Sequence, residues 1–416
     1  MSEPLSIDEH RALIEARIPA PATSTRPLDE CLGLVLAEDV AARLPVPPFT
    51  NSAMDGFAVR HADVAGACAE RPVRLPVIAD VPAGDPAATP LRAGTAERIM
   101  TGAPMPPGAD TVVRVEDTDH RVGTTRAPAA VTVHAAPAPG ANVRHAGEDV
   151  GVGDPVLSAG AVLDAAGLAA AASVGHAALP VHPRPRVGVL ATGSELRGAG
   201  EPLGPGQIPD SNSLLLAGLV REAGGDPVVT ARVPDDPDGL AGLLAGWPPL
   251  DLVVTAGGIS EGAYEVVRQA LTGADARFHH VAQQPGGPQG IATAHVGGRP
   301  TPVLCLPGNP VSVWVSFHVY AAGVLRVLAG RAGTTAPATS RVVADAPWPG
   351  PARKVQFIPV VRTGDLVRPV HPLGSKSHLV ASLPRADGLA VVPIGVGEVG
   401  RGMELDFIAA LAHGDR

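Results

Sequence analysis

The sequence has little cysteine: Cys31, Cys68 and Cys305 stand far apart in 416 residues. That spacing excludes a disulfide framework and paired zinc-ligand spacing, and it fits a reducing, cytoplasmic setting. Lysine is scarcer still. Lys354 and Lys376 are the only two among 32 basic residues. Neither follows the glycines that a Walker-type phosphate loop requires, so that loop is excluded. There is no HExxH motif and no Cys/His cluster. Charge of one sign never runs long, and the net charge of −9 argues against sequence-independent nucleic-acid binding. Long apolar runs are also missing. Residues 161–181 come nearest, but they are mostly Ala and Gly and include Asp164 and His176, so no membrane span is expected. Residues 1–4 show no basic segment leading into an apolar core, so no signal peptide is expected.

What is present is turn chemistry and a globular apolar content: 49 glycines, 45 prolines and 45% hydrophobic residues. The length suits about two to four domains. Residues 5–18 read as a helix, with Ser6 and Glu9 spaced as a capping box. From about 47 to 140, short β-like runs alternate with Pro/Gly clusters, predicting a small, mostly β domain. After residue 180, apolar strands (187–191, 228–233, 250–255, 302–306) alternate with helices (211–223, 238–246, 310–328). That alternation predicts a parallel, doubly wound α/β sheet, which binds ligands at the C-terminal ends of its strands. The tail, 352–411, returns to short strands and turns and predicts a small β domain.

Six motifs carry candidate chemistry. Asn51-Ser52-Ala53-Met54-Asp55-Gly56 places Asp55 in a turn, as a hard oxygen ligand, a base, or simply a partner of its own backbone. Thr101 sits in a Thr-Gly-Ala-Pro turn and matters only if it faces a ligand. Arg144 to Asp149 pairs Glu148 and Asp149 with Arg144 and His145, as a cation or phosphate site or a solvated ion cluster. Thr192-Gly193-Ser194-Glu195 follows a strand and exposes Glu195 at the ligand-binding edge. Gly257-Gly258-Ile259-Ser260 opens a helix after a strand, where backbone N–H groups approach a phosphate. Its Gly258-Ile259-Ser260-Glu261-Gly262 run also fits the G-x-S-x-G nucleophile elbow, followed by Asp275 and by His279, His280 or His295 in hydrolase order. Pro307-Gly308-Asn309-Pro310-Val311-Ser312 joins a buried strand to a long helix, with Asn309 suited to the cap and Ser312 in the first turn.

In order along the chain, NSAMDGFAV, IMTGAPMPPGADTVV, RHAGEDV, VLATGSEL, TAGGIS, LPGNPVS and GSKSHLVASLPRADGLAVVP resemble the molybdopterin molybdenumtransferase family, which includes MoeA and the gephyrin E domain. The resemblance covers residues 5 to 411. It implies a homodimer of four-part protomers: residues 28–46 with 142–178 as a linker and dimer domain, 47–140 as a β-rich insertion, 5–18 with 180–330 as a molybdopterin-binding α/β domain, and 332–416 as a C-terminal β domain. The implied reaction inserts molybdenum from molybdate into adenylated molybdopterin and releases AMP. The molybdopterin adenylyltransferase is the implied supplier of that substrate. The resemblance carries over Asp55, Thr101, Glu195 and Glu265 as catalytic residues. It carries Gly257, Gly258, Ser260, Pro307, Gly308, Asn309, Ser312 and Ser377 as binding residues, and Asp55, Asp149 and Glu195 as oxygen ligands to Mg²⁺. Neither nucleic acid nor membrane is an implied partner.

The sequence departs from the family pattern at basic positions. Gln284 and Gly287 stand in the family's KPGKP run, and Pro359 ends its R-x-E-F-x-R run. Ala263 stands where an Asp-containing run is usual, while Glu265 and Arg268 keep a carboxylate and a positive charge. These departures motivate an alternative, a catalytically weakened paralogue that binds molybdopterin or acts as a scaffold. A serine hydrolase using Ser260 rests on the elbow alone.

Overall fold

The computed structural model describes residues 3–411 except 87–88, 122, 124–125, 235, 261–264, 274 and 377. The N-terminal helix Ile7–Glu15 begins as its sequence dictates. Ser6 accepts from the Glu9 amide at 3.1 Å and the Ser6 amide donates to the Glu9 carboxylate at 2.7 Å.

Ser24–Pro27, Ala178–His182 and Val35–Leu36 form a small antiparallel sheet beside the helix Ala165–Ser173. The segment between carries a five-stranded sheet ordered Thr111–Arg114, Gly56–Val59, Ala96–Ile99, Val73–Val81 and Ala130–Val133. Phe57, Val59, Val113 and Val131 fill its core.

The α/β domain holds six strands in the order Asp226–Val233, Arg186–Thr192, Leu252–Ala256, Arg299–Leu306, Pro288–Val296 and Arg277–His280. The first four are parallel, as the alternation of strands and helices predicts. The last two are antiparallel, which the expectation of a parallel sheet lacks. The cause is local. Gly297 and Gly298 both take positive φ, +56° and +81°, the backbone that a tight hairpin between Pro288–Val296 and Arg299–Leu306 needs. The helix Asn212–Glu222 also starts differently from expectation. Ser211 makes no side-chain cap; Asp210, one residue earlier, accepts from the Ser213 amide at 3.0 Å.

Pro310–Leu328 is long and apolar enough to cross a membrane, more so than 161–181, but it is mostly buried inside the protein. Its middle, Phe317–Ala321, is a π-helical stretch. It lies in an apolar cluster that runs from Ile14 through Val189, Trp314 and Tyr320 to Phe357, Leu389 and Ile408. The last three belong to the C-terminal domain. There Val355–Thr363, Leu366–Pro369, Ser340–Ala344, Glu404–Ala409 and Gly388–Val392 close into a barrel, the last strand pairing back to the first. A two-residue strand, Gln283–Gln284, pairs in parallel with Val355 and Gln356 and seams the barrel to the α/β domain. Each large side chain buried in this shared core is worth about 1.5–3 kcal/mol, which keeps the two domains in register.

Candidate active site

At the C-terminal ends of the parallel strands, where the α/β domain faces the barrel, lies a cavity of about 850 Å³. Two strand-to-helix turns form its floor. In the first, the Gly257 amide donates to the Leu306 carbonyl at 3.0 Å, so the two turns are stitched together. Gly257 has φ +95°, and a Cβ there would lie 2.9 Å from the Thr192 carbonyl oxygen, so only glycine fits. Ser260 gives both its amide, at 2.7 Å, and its hydroxyl to the Glu265 carboxylate. Arg268 donates to the Ser260 carbonyl at 3.2 Å and covers the Phe278 ring at 5.8 Å. It braces the turn rather than lining the cavity.

In the second turn, Pro307, Gly308 and Asn309 lead into the helix that starts at Pro310, with Ser312 buried in its first turn. Asn309 makes no side-chain cap, contrary to expectation. Instead Asn212 donates to the Gly308 carbonyl at 2.6 Å. The uncapped first-turn N–H groups and the helix dipole favour an anion there. Glu195 lines the same cavity, and its carboxylate accepts no hydrogen bond among the described residues.

The facing wall comes from the C-terminal domain. It carries Lys354, Lys376 and His378, so both lysines of the chain line one cavity. Gln284 and Gly287 also line it, while Pro359 is buried in the barrel strand and does not. Sequence reasoning misses the lysine wall because residues 354 and 376 reach the α/β turns only through barrel closure. Their rarity was one available signal, and the GSKSHLV run that holds Lys376 was another.

Of the candidate residues, the cavity brings together Glu195, Gly257, Gly258, Ser260, Glu265, Pro307, Gly308, Asn309 and Ser312. Asp55, Thr101 and Asp149 do not line it. Asp55 and Thr101 pair with each other: the Thr101 amide and hydroxyl donate to one Asp55 oxygen at 2.7 and 2.8 Å. Those bonds hold the Asp55 carboxyl below the usual carboxylate range. Asp149 is exposed on a turn in which Glu148 accepts from the His145 amide at 2.9 Å. Among the described residues, no three His, Cys, Asp or Glu side chains converge as a metal site. Ser377 lies outside the described residues, as do Glu261 to Tyr264. The elbow serine has Glu265 as its partner, while His279 instead contacts His10 at 2.9 Å.

Three family models tile the chain: MoeA N-terminal region (domain I and II) over residues 5–175, probable molybdopterin binding domain over 188–327, and MoeA C-terminal region (domain IV) over 341–409. The chain is 43% identical over 411 residues to molybdopterin molybdenumtransferase 2 of Mycobacterium tuberculosis, covering 96% of this chain and 98% of that one. The chain belongs to the molybdopterin molybdenumtransferase family. It is also 37% identical to the molybdopterin molybdenumtransferase of Nostoc sp. over 87% of this chain and 83% of that one. A crystal structure of a molybdopterin biosynthesis MoeA protein from Pyrococcus horikoshii superposes with a TM-score of 0.79 at 28% identity, covering 98% of this chain and 99% of that one. In molybdenumtransferase terms, the molybdopterin-binding region supplies the cavity's two turns. The C-terminal region supplies its lysines, and the N-terminal region holds the Asp55–Thr101 pair.

Proposed function

We propose that this chain inserts molybdenum from molybdate into adenylated molybdopterin, cleaving the phosphoanhydride and releasing AMP. The carrying observation is the arrangement of the 850 Å³ cavity, with amide-rich turns at 257–260 and 308–312 on one wall and Lys354 and Lys376 on the other. Anionic groups of pterin phosphate, diphosphate and molybdate are then met by N–H donors and ammonium groups, which compensate for Gln284 and Gly287. Ser312 offers a hydroxyl at the second turn, while Glu265 accepts from the amide and hydroxyl of Ser260 and fixes the first.

Mg²⁺ fits the oxygen donors of the cavity, because the Glu195 carboxylate has no hydrogen-bond partner among the described residues. It would be held by Glu195 with Asp55 and Asp149, and would offset charge on the scissile phosphates. In one protomer Asp55 and Thr101 do not line the cavity, so this reading takes them from a second copy, in a homodimer. The four parts proposed are residues 28–46 with 142–178, 47–140, 5–18 with 180–330, and 332–416. The protein works in the cytoplasm and receives its substrate from the molybdopterin adenylyltransferase.

The test is a molybdate titration of protein loaded with adenylated molybdopterin, following AMP release and active cofactor. Molybdate-dependent turnover at low concentration supports the transfer. Pterin binding without product, beside an active control enzyme, supports the weakened paralogue that Gln284 and Gly287 suggest.

A further inference from the structure

Behind the cavity lies a buried polar relay. It starts on the helix Pro310–Leu328, at Ser316 and Tyr320, both buried. Ser316 borders the π-helical stretch Phe317–Ala321, Tyr320 lies within it, and both reach the segment 283–289. Gln283 and Gln289, also buried, receive them there. Tyr320 gives its hydroxyl to Gln283 Oε1. Burial foremost raises the pKa of the phenol, so the hydroxyl keeps its proton and donates. His10 packs nearly at right angles to the Tyr320 ring, with centroids 4.8 Å apart, and fixes it from the N-terminal helix.

The relay ends on the loop 284–287, which lines the cavity. Gln283 Nε2 donates to the Pro285 carbonyl at 3.1 Å. Gln289 Nε2 donates to the Gly286 carbonyl at 2.8 Å and to Ser316 Oγ at 2.7 Å. Two consecutive carbonyls are thus turned inwards. The peptides that carry them are trans, and a trans peptide sets its N–H opposite its C=O. The Gly286 and Gly287 amides therefore point away from the glutamines, and neither has a hydrogen-bond partner among the described residues. Successive free amides on a turn form a concavity that favours an anion. Gly286 is tied to this arrangement. Its φ is +79°, and a Cβ there would lie 3.0 Å from Ser316 Oγ and 3.3 Å from Gln283 Nε2. Released from Gln283, the peptide between Pro285 and Gly286 can flip, which puts a carbonyl oxygen where the N–H stood.

We propose that Tyr320 and Gln283 are positioning residues for the cavity: their hydrogen bond holds that peptide with its N–H outwards, so the loop meets an oxyanion with amides where it lacks basic side chains. The oxyanion is free molybdate or a phosphate of the pterin nucleotide. This assignment rests on the proposed transfer, which brings both into the cavity.

The test is calorimetric titration of molybdate and, separately, of adenylated molybdopterin onto the full-length protein and its Tyr320→Phe, Gln283→Leu and doubly substituted variants, together with the steady-state KM for each substrate. Tyr320→Phe is expected to weaken one of the two ligands by about tenfold, the worth of one well-made hydrogen bond. The ligand that weakens identifies the oxyanion. Its KM should rise in step, while the other KM and kcat at saturation move by less than about twofold. A general loosening of the fold would shift all three. Because Tyr320 acts through Gln283, the double variant should bind as Gln283→Leu alone does. Tyr320→Phe removes a single buried oxygen, so it reports even if Gln283→Leu disturbs the seam with the barrel. Equal affinities for both ligands in the unaltered and Tyr320→Phe proteins, or parallel losses in every parameter, overturn the relay. If the affinities are equal while the unaltered protein releases AMP from adenylated molybdopterin, the transfer stands and only the relay falls. One ligand weakened as described, with no molybdenum inserted by the unaltered protein, sinks the transfer and keeps the relay.

Discussion

Thr101 gives its backbone N–H and its hydroxyl to the same oxygen of Asp55, at 2.7 and 2.8 Å. The charged carboxylate gains from both bonds, so its pKa is lowered, chiefly by the amide and then by the hydroxyl. The associated stability is fully present above the ordinary carboxylate range and is lost as pH falls through the lowered value. Thr101→Val keeps the amide bond and removes the hydroxyl. Its expected effect is a rise in the Asp55 pKa, read by carboxyl-carbon NMR titration. The acid limb of AMP release should move up with it. An unchanged titration would detach Thr101 from the state of Asp55.

The Glu265 carboxylate organises the Ser260 turn through two bonds. Glu265→Ala is expected to lower unfolding free energy by about 1–2 kcal/mol, since two hydrogen bonds are lost at a largely exposed site. Turnover should fall more steeply, by about tenfold or more, because the turn's N–H groups lose their aim. Guanidinium unfolding and AMP release measure the two effects separately. The same pairing bears on ester hydrolysis. With Glu265 rather than a histidine beside it, Ser260 should give no esterase activity that Ser260→Ala abolishes.

At Gly257 the backbone and the packing both refuse a side chain. Gly257→Ala forces a left-handed φ on an L-residue and presses its Cβ against the Thr192 carbonyl. The expected loss is about 1–3 kcal/mol of stability, read as a shifted denaturation midpoint. Molybdate-dependent product should disappear. Full activity would mean that the turn can rebuild elsewhere.

His10 is 1% exposed, 2.9 Å from His279 and edge-on to Tyr320 at 4.8 Å. Burial foremost, then the neighbouring His279 and Arg11, push its pKa down to about 3. The native state therefore keeps His10 neutral where the unfolded chain is protonated. Stability is full above about pH 6.5, the unfolded value, and declines as pH falls towards 3. His10→Leu should flatten that decline, measured as unfolding free energy at pH 7, 5.5 and 4. A slope equal to that of the unaltered protein would assign the acid sensitivity to other groups.

The α/β core was legible because its strands are short, apolar and followed by Gly-rich turns. The predicted 187–191 and 250–255 correspond to Arg186–Thr192 and Leu252–Ala256. The Ser6–Glu9 box was legible for the same reason, since its partners are three residues apart. Features made by distant residues were not. The antiparallel hairpin at 288–306 hid behind Gly297-Gly298, and the seam of Gln283–Gln284 on the barrel has no local signature. Asn212, which holds the Gly308 carbonyl, reads in sequence as an ordinary first-turn residue. The cavity turns were therefore readable as motifs, whereas its cationic wall required the closed barrel.

That wall has a chemical consequence. Apart from the α-amino group, the only primary amines of the chain are Lys354 and Lys376, and both line one cavity. An amine-directed acylating reagent therefore has almost nowhere else to react. Ordinary lysine labelling becomes a site-directed probe of this protein, able to place a fluorophore or an affinity tag at the mouth of the cavity without a single substitution.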